Sequence, residues 1–95
     1  MPISWSAAAG RDLIAIVRFI ERDNPRAAAM TLRRIRDAVT VLVDQPSLGR
    51  PGRVIHTREL VIERTPYIVP YQLVEGRVII LRVYHAARQW PERFD

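Results

Sequence analysis

Arg58, Arg82, Tyr84 and His85 are the residues of this chain whose types could do chemistry together. Metal-free cleavage of a phosphodiester needs groups that move protons at the 2′-OH and at the leaving 5′ oxygen. It also needs cations that stabilise the pentavalent phosphate. Imidazole and phenol supply the first function and guanidinium the second. Arg50, Arg53 and Arg88 extend the basic set along the same half of the chain. Arg is suited to planar, bidentate recognition of phosphate and carboxylate, so these residues could equally hold nucleic acid or an acidic protein segment. The simpler reading competes: a His at a strand end is more often a hydrogen-bonded structural residue, and scattered Arg more often a solvated or partner-facing surface. Tyr67 and Tyr71 alternate onto one strand face, where core packing with a satisfied hydroxyl outweighs base stacking. Trp5 and Trp90 read as anchors near the two ends of the domain.

Other chemistries have little to work with. The seryl residues Ser4, Ser6 and Ser47 fall at helix caps or in a loop, which is no setting for a Ser-His-Asp triad. Glu59 and Glu63 read as solvent-facing strand residues and Glu75 as a turn residue, so no carboxylate pair is evident. Gly49-Arg50-Pro51-Gly52-Arg53 lacks the lysine and the following helix of a phosphate loop. Cys is absent and His56 and His85 are the two imidazoles, which excludes disulfides and leaves no evident metal site; no cofactor is expected.

These residues need a scaffold, and 95 residues with 48% hydrophobic content make one domain, residues 1–95, able to bury a core. No stretch approaches a membrane span, and the N-terminus lacks the basic head and apolar core of a signal, so the expected location is cytoplasmic. The net charge is +5, carried entirely by Arg with no Lys, a surface that seeks anions. A GC-rich coding bias would produce the same Arg-only set.

The first 45 residues read as two helices. Leu13, Ile16, Val17 and Ile20 form one apolar stripe, with Ser4 or Ser6 as cap. Asn24-Pro25 stops that helix and starts the next, whose stripe is Ala28, Leu32, Ile35, Val39 and Leu42. Joined this tightly, the two make an antiparallel hairpin. Pro46, Gly49, Pro51 and Gly52 then impose a long loop. Strands are predicted over 58–63, 67–74 and 77–85, the last two joined at Glu75-Gly76, and Ile3-Ser4-Trp5 could add a short strand. The fold class is therefore α+β: a short N-terminal strand and a helical hairpin packed on a three- to four-stranded antiparallel sheet. Strand alternation puts Val78, Ile80, Arg82 and Tyr84 on one face and Ile79, Leu81, Val83 and His85 on the other. Both faces are greasy and the hairpin covers only one, so a partner chain is the natural cover for the second. Pro70 inside the middle strand predicts a bulge or an edge there.

The order of elements, with Gly49-Arg50-Pro51-Gly52-Arg53, Thr57-Arg58-Glu59-Leu60-Val61, Thr65-Pro66-Tyr67-Ile68-Val69-Pro70-Tyr71 and Ile80-Leu81-Arg82-Val83-Tyr84-His85-Ala86-Ala87-Arg88-Gln89-Trp90-Pro91, resembles the RelE/ParE superfamily of bacterial toxins over essentially the whole chain. That resemblance implies the growth-inhibiting half of a type II toxin-antitoxin module, of the kind linked to plasmid stabilisation. It also implies a cognate antitoxin partner, in a hetero-oligomer for which a heterotetramer is one form. The antitoxin or target surface would draw on Arg50, Arg53, Arg58, Tyr71, Arg82 and Arg88. ParE-like members inhibit DNA gyrase without an enzymatic site. RelE-like members cut messenger RNA on the ribosome, which would give Arg58, Arg82, Tyr84 and His85 catalytic roles. The lysines of the RelE site are absent here and Trp90 and Phe94 stand in the C-terminal stretch, so the ParE-like reading is favoured and enzymatic activity is not expected. A member that only binds its antitoxin is the third reading.

Overall fold

Two side-chain caps set the helices. In the computed structural model, which describes residues 1–94, β1 spans Ile3–Trp5 and α1 spans Ala7–Glu21. Ser6 starts α1: its Oγ accepts from the Ala9 N–H at 3.0 Å and donates to the Leu81 carbonyl at 2.8 Å, tying the helix start to the sheet. Asn24 Oδ1 accepts from the Ala27 N–H at 3.0 Å and Pro25 takes the first turn, so α2 runs Pro25–Val41 straight after α1. The two helices pack together as the expected hairpin. No helix among the described residues is long and apolar enough to cross a membrane.

After the loop come β2 (Arg50–Pro51), β3 (Arg58–Val61), β4 (Tyr67–Val74), β5 (Arg77–Ile80) and β6 (Tyr84–His85). The sheet order is β1-β5-β4-β3-β2, with β6 also on β4, giving six strands in a mixed sheet. The α+β class holds, with two details added. A short β2 joins the edge, and β1 runs parallel to β5, pairing Ile3 with Val78 and Trp5 with Ile80. The predicted 58–63 strand ends at Val61, because Thr65 Oγ1 donates to the Ile62 carbonyl and accepts from the Tyr67 N–H, closing a turn. At Glu75-Gly76 both residues have positive φ, 48° and 75°, as a two-residue hairpin turn requires.

Pro70 explains the break between β5 and β6. Tyr71 pairs with Ile80 and Ile68 with Tyr84, so Val69 and Pro70 face three residues, Leu81, Arg82 and Val83. The Leu81 N–H donates to the Pro70 carbonyl at 3.0 Å, while the proline offers no donor in return and the facing strand takes up one extra residue. That bulge corrects the predicted alternation. Val83 joins Val78 and Ile80 in the core, and Tyr84 turns to the opposite face beside Trp90 and Phe94.

The core lies between the helices and one sheet face. Ala9, Ile35, Val39 and Leu42 pack against Leu60, Ile62, Val69, Tyr71, Val78, Ile80 and Val83. Full burial of each large aliphatic chain contributes about 1.5–3 kcal/mol. Leu13 and Ile16 of α1 are half-buried against this cluster.

Candidate functional site

Residues 86–94 fold back beneath Tyr84 and build a basic, aromatic surface with it. The Trp90 ring stands edge-on to Tyr84 at 5.1 Å, and Phe94 lies 5.9 Å from the same ring. Three guanidinium groups sit over these aromatics: Arg53 over Trp90 at 4.1 Å, Arg88 over Tyr84 at 4.2 Å, and Arg82 over Tyr84 at 4.7 Å. A cation over an electron-rich ring face gains roughly 0.5–2 kcal/mol, and the donors it does not spend on a neighbouring carboxylate remain for an anion. Arg82, Tyr84, Arg88, Trp90, Arg93 and Phe94 line an open groove of about 480 Å³. The greasy second face expected to need a partner is thus partly covered by this segment, and Val61 and Val74 stay exposed on it.

Arg82 is anchored rather than free. Its Nε donates to Asp12 Oδ2 at 2.7 Å and its Nη2 to Asp12 Oδ1 at 2.9 Å, and the Val83 N–H donates to the same carboxylate at 3.0 Å. The Asp12 hydrogen bond raises the Arg82 pKa further above its ordinary value, against a smaller opposing effect of burial. Asp12 therefore locks the bulge to α1, a role that its position outside the helix stripe did not signal.

Arg58 and Tyr71 belong to the loop. Arg58 Nη1 donates to the Gly49 carbonyl at 2.7 Å and the Ser47 carbonyl at 3.2 Å. Tyr71 is fully buried; its hydroxyl donates to the Pro46 carbonyl at 2.7 Å and accepts from the Gly49 N–H at 2.8 Å. Burial pushes the Tyr71 pKa up, offset in part by the Gly49 hydrogen bond and the Arg58 charge. A Cβ at Gly49 would stand 2.6 Å from the Tyr71 ring, so this position requires glycine. Tyr71 thus reaches no surface a partner could touch, and any influence on binding runs through the loop it holds.

His85 is exposed at the strand end, on the side of Tyr67, whose ring it meets edge-on at 5.8 Å. Its Nδ1 accepts from the Ala87 N–H at 3.0 Å. Arg58 and His85 flank β4 on opposite sides, in register with Tyr71 and Tyr67. Four residues of strand separate those positions, roughly 13 Å. Arg53, Arg82, Tyr84 and Arg88 are therefore gathered with Trp90 and Phe94, and Arg58, Tyr71 and His85 stand elsewhere.

Glu59 departs from the solvent-facing expectation. Its side chain is 1% exposed, and it takes hydrogen bonds from Arg50 Nε and Nη2 and from the Arg53 backbone N–H. Its place opposite Leu60 on the strand was legible; its cover, supplied by the loop, was not.

This hairpin-on-sheet scaffold is that of a type II toxin of the RelE/ParE superfamily. Residues 3–90 match the family model described as the ParE toxin of the type II toxin-antitoxin system, parDE, and the chain belongs to that family. It is 48% identical over 90 residues to the Sinorhizobium fredii protein Y4kP, to which a toxin role is ascribed, covering 95% of this chain and 93% of that one. It is 36% identical to toxin RelE2 of Caulobacter vibrioides, covering 90% of this chain and 96% of the relative. Among solved structures, the chromosomal ParDE system from P. aeruginosa matches with a TM-score of 0.79 at 30% identity, over 90% of this chain and 95% of that one. The toxin-antitoxin complex RelBE2 from Mycobacterium tuberculosis matches with a TM-score of 0.57 at 26% identity, over 88% and 95%.

Proposed function

We propose that this toxin arrests growth by inhibiting DNA gyrase without an enzymatic step, and that a cognate antitoxin encoded with it holds it inactive in a hetero-oligomer. The observation that carries the non-enzymatic reading is the dispersal of Arg58, Arg82 and His85. Arg58 is spent on loop carbonyls, Arg82 is paired with Asp12, and His85 lies at the other end of β4 from Arg58. As they stand in the free chain, Arg58 and His85 do not converge on one phosphate, and the donors of Arg82 are engaged by Asp12, which supports the non-enzymatic reading. The Arg–aromatic groove supports a binding role, because cations seated on aromatic rings pair well with an acidic surface and set its register. The solved neighbours described as ParDE and RelBE2 support an antitoxin partner.

The test uses the purified chain, freed of antitoxin, in two assays: gyrase supercoiling, and cleavage of messenger RNA on programmed ribosomes. Inhibited supercoiling with intact message is expected, and His85→Ala should inhibit as the parent does. Cut message with untouched gyrase would overturn the reading and give Arg82 and Tyr84 catalytic roles.

A further inference from the structure

Glu59 is the one buried carboxylate among the described residues, and its contacts lead to the candidate site. A charge removed from water is tolerated only when paired and hydrogen-bonded. Its Oε1 accepts from Arg50 Nε at 3.3 Å and Nη2 at 3.1 Å; its Oε2 accepts from the Arg53 N–H at 2.7 Å, with Arg53 Nε 3.5 Å away. Arg53 is thus held at both its backbone and its side chain by a single carboxylate. Its guanidinium carbon then stands 4.1 Å from the centre of the Trp90 ring, and Trp90 meets Tyr84, the ring beneath Arg88.

Among the described residues, Trp90 makes no side-chain hydrogen bond that would hold it. Its indole Nε1 is the one buried side-chain polar atom without a partner among the described residues, so the ring is kept in place by stacking and edge contacts. Residues 86–88 are tied down by the Ala86 N–H on the Pro66 carbonyl at 2.7 Å and the Arg88 N–H on the His85 carbonyl at 3.0 Å; beyond them the Trp90 ring rests on Tyr84 of β6 and on Arg53, the neighbour that Glu59 fixes.

We propose that Glu59 is a positioning residue for the Arg–aromatic surface: by seating Arg53 under Trp90 it fixes that ring against Tyr84, the ring on which Arg88 rests. The functional half of this inference rests on the reading that this surface meets gyrase. Arg50 neutralises the carboxylate, and Arg53 transmits its position.

Trp90 reports the result directly. In the full chain carrying Trp5→Phe, so that one indole remains, Glu59→Gln and Arg53→Ala should each shift Trp90 emission to the red and raise its quenching by acrylamide, with the far-ultraviolet circular dichroism retained. Because both act through one link, the double variant should do no more than either single change. Arg53→Ala keeps the backbone N–H that Glu59 requires, so it decides the matter even where Glu59→Gln unfolds the chain. Unchanged Trp90 emission in folded Arg53→Ala overturns the proposal, as do additive effects in the double variant. Gyrase inhibition by Arg53→Ala should fall about tenfold, equivalent to one weakened contact set. A red-shifted Trp90 with undiminished inhibition overturns the positioning role. A parent chain that leaves gyrase untouched overturns only the target reading, since Trp90 emission is read without any target.

Discussion

The two faces of the sheet are covered by different physics. The face under the helices is closed by Ile35, Val39 and Leu42 against Val69, Tyr71, Val78 and Ile80, all at most 3% exposed. The opposite face is closed by guanidinium groups over aromatic rings and by one buried carboxylate, with Arg50 and Arg53 still half in water. Apolar closure contributes free energy in proportion to area and tolerates no water. Cation–π and ion-pair closure contributes less net energy, yet leaves charged donors pointing outward. One face therefore carries the stability of this small domain, and the other carries surface chemistry at modest cost to stability.

That contrast breaks if the largest expected effect is missing. Ile35→Ala removes a fully buried side chain from the centre of the hairpin contact and should destabilise the domain by about 2–5 kcal/mol in urea unfolding. A neutral result would mean that the helix face does not hold the fold.

Next comes Tyr71→Phe, which leaves the Gly49 N–H and the Pro46 carbonyl without the hydroxyl and should cost about 1–3 kcal/mol. It also sharpens the alkaline behaviour. Burial raises the pKa of both Tyr67 and Tyr71 above the ordinary 10.0. Above that pH the unfolded chain releases these protons while the folded chain retains them. Stability is therefore fully present below pH 10.0 and declines as pH rises from there through the folded pKa values. Unfolding curves of Tyr71→Phe across that range should show a shallower decline than the parent.

Much of the helix face was legible in the sequence because its signals are local. The Leu32–Ile35–Val39 spacing and the Asn24-Pro25 boundary each act within a few residues, and the Glu75-Gly76 turn needs only its own backbone. The second face was less legible because its contacts join distant segments. Pro70 signalled an irregularity but not that the facing strand would gain a residue, and that one residue sent Val83 inward and Tyr84 outward. Three residues of β1 carry no information about whether they pair parallel or antiparallel with β5. The Arg set could be read from the sequence as a group and no further, since nothing in the chain told Arg53, which stacks on Trp90, from Arg58, which is consumed by loop carbonyls.

Asp12 tests the seam between the faces. Asp12→Ala frees Arg82 and leaves the Val83 N–H without its acceptor; the two side chains are 15% and 28% exposed, so water recovers part of the loss and about 1–2 kcal/mol is expected by thermal unfolding. The bulge should loosen, with faster amide hydrogen exchange at 81–83 than at 78–80.

The smallest change in stability should accompany the largest change in binding. Arg88 is exposed and touches the fold through the Tyr84 ring, with its backbone N–H on the His85 carbonyl, which any residue but proline would keep. Arg88→Ala should therefore move stability by no more than about 0.5 kcal/mol. If the Arg–aromatic groove is where the toxin meets its target, the same variant should lose gyrase inhibition while its unfolding curve overlays the parent. A variant that inhibits normally would transfer the target contact to another surface, and one that unfolds early would mean that the second face bears more of the fold than its exposed cations suggest. The two measurements on one variant thus separate a surface that holds the molecule together from one that acts.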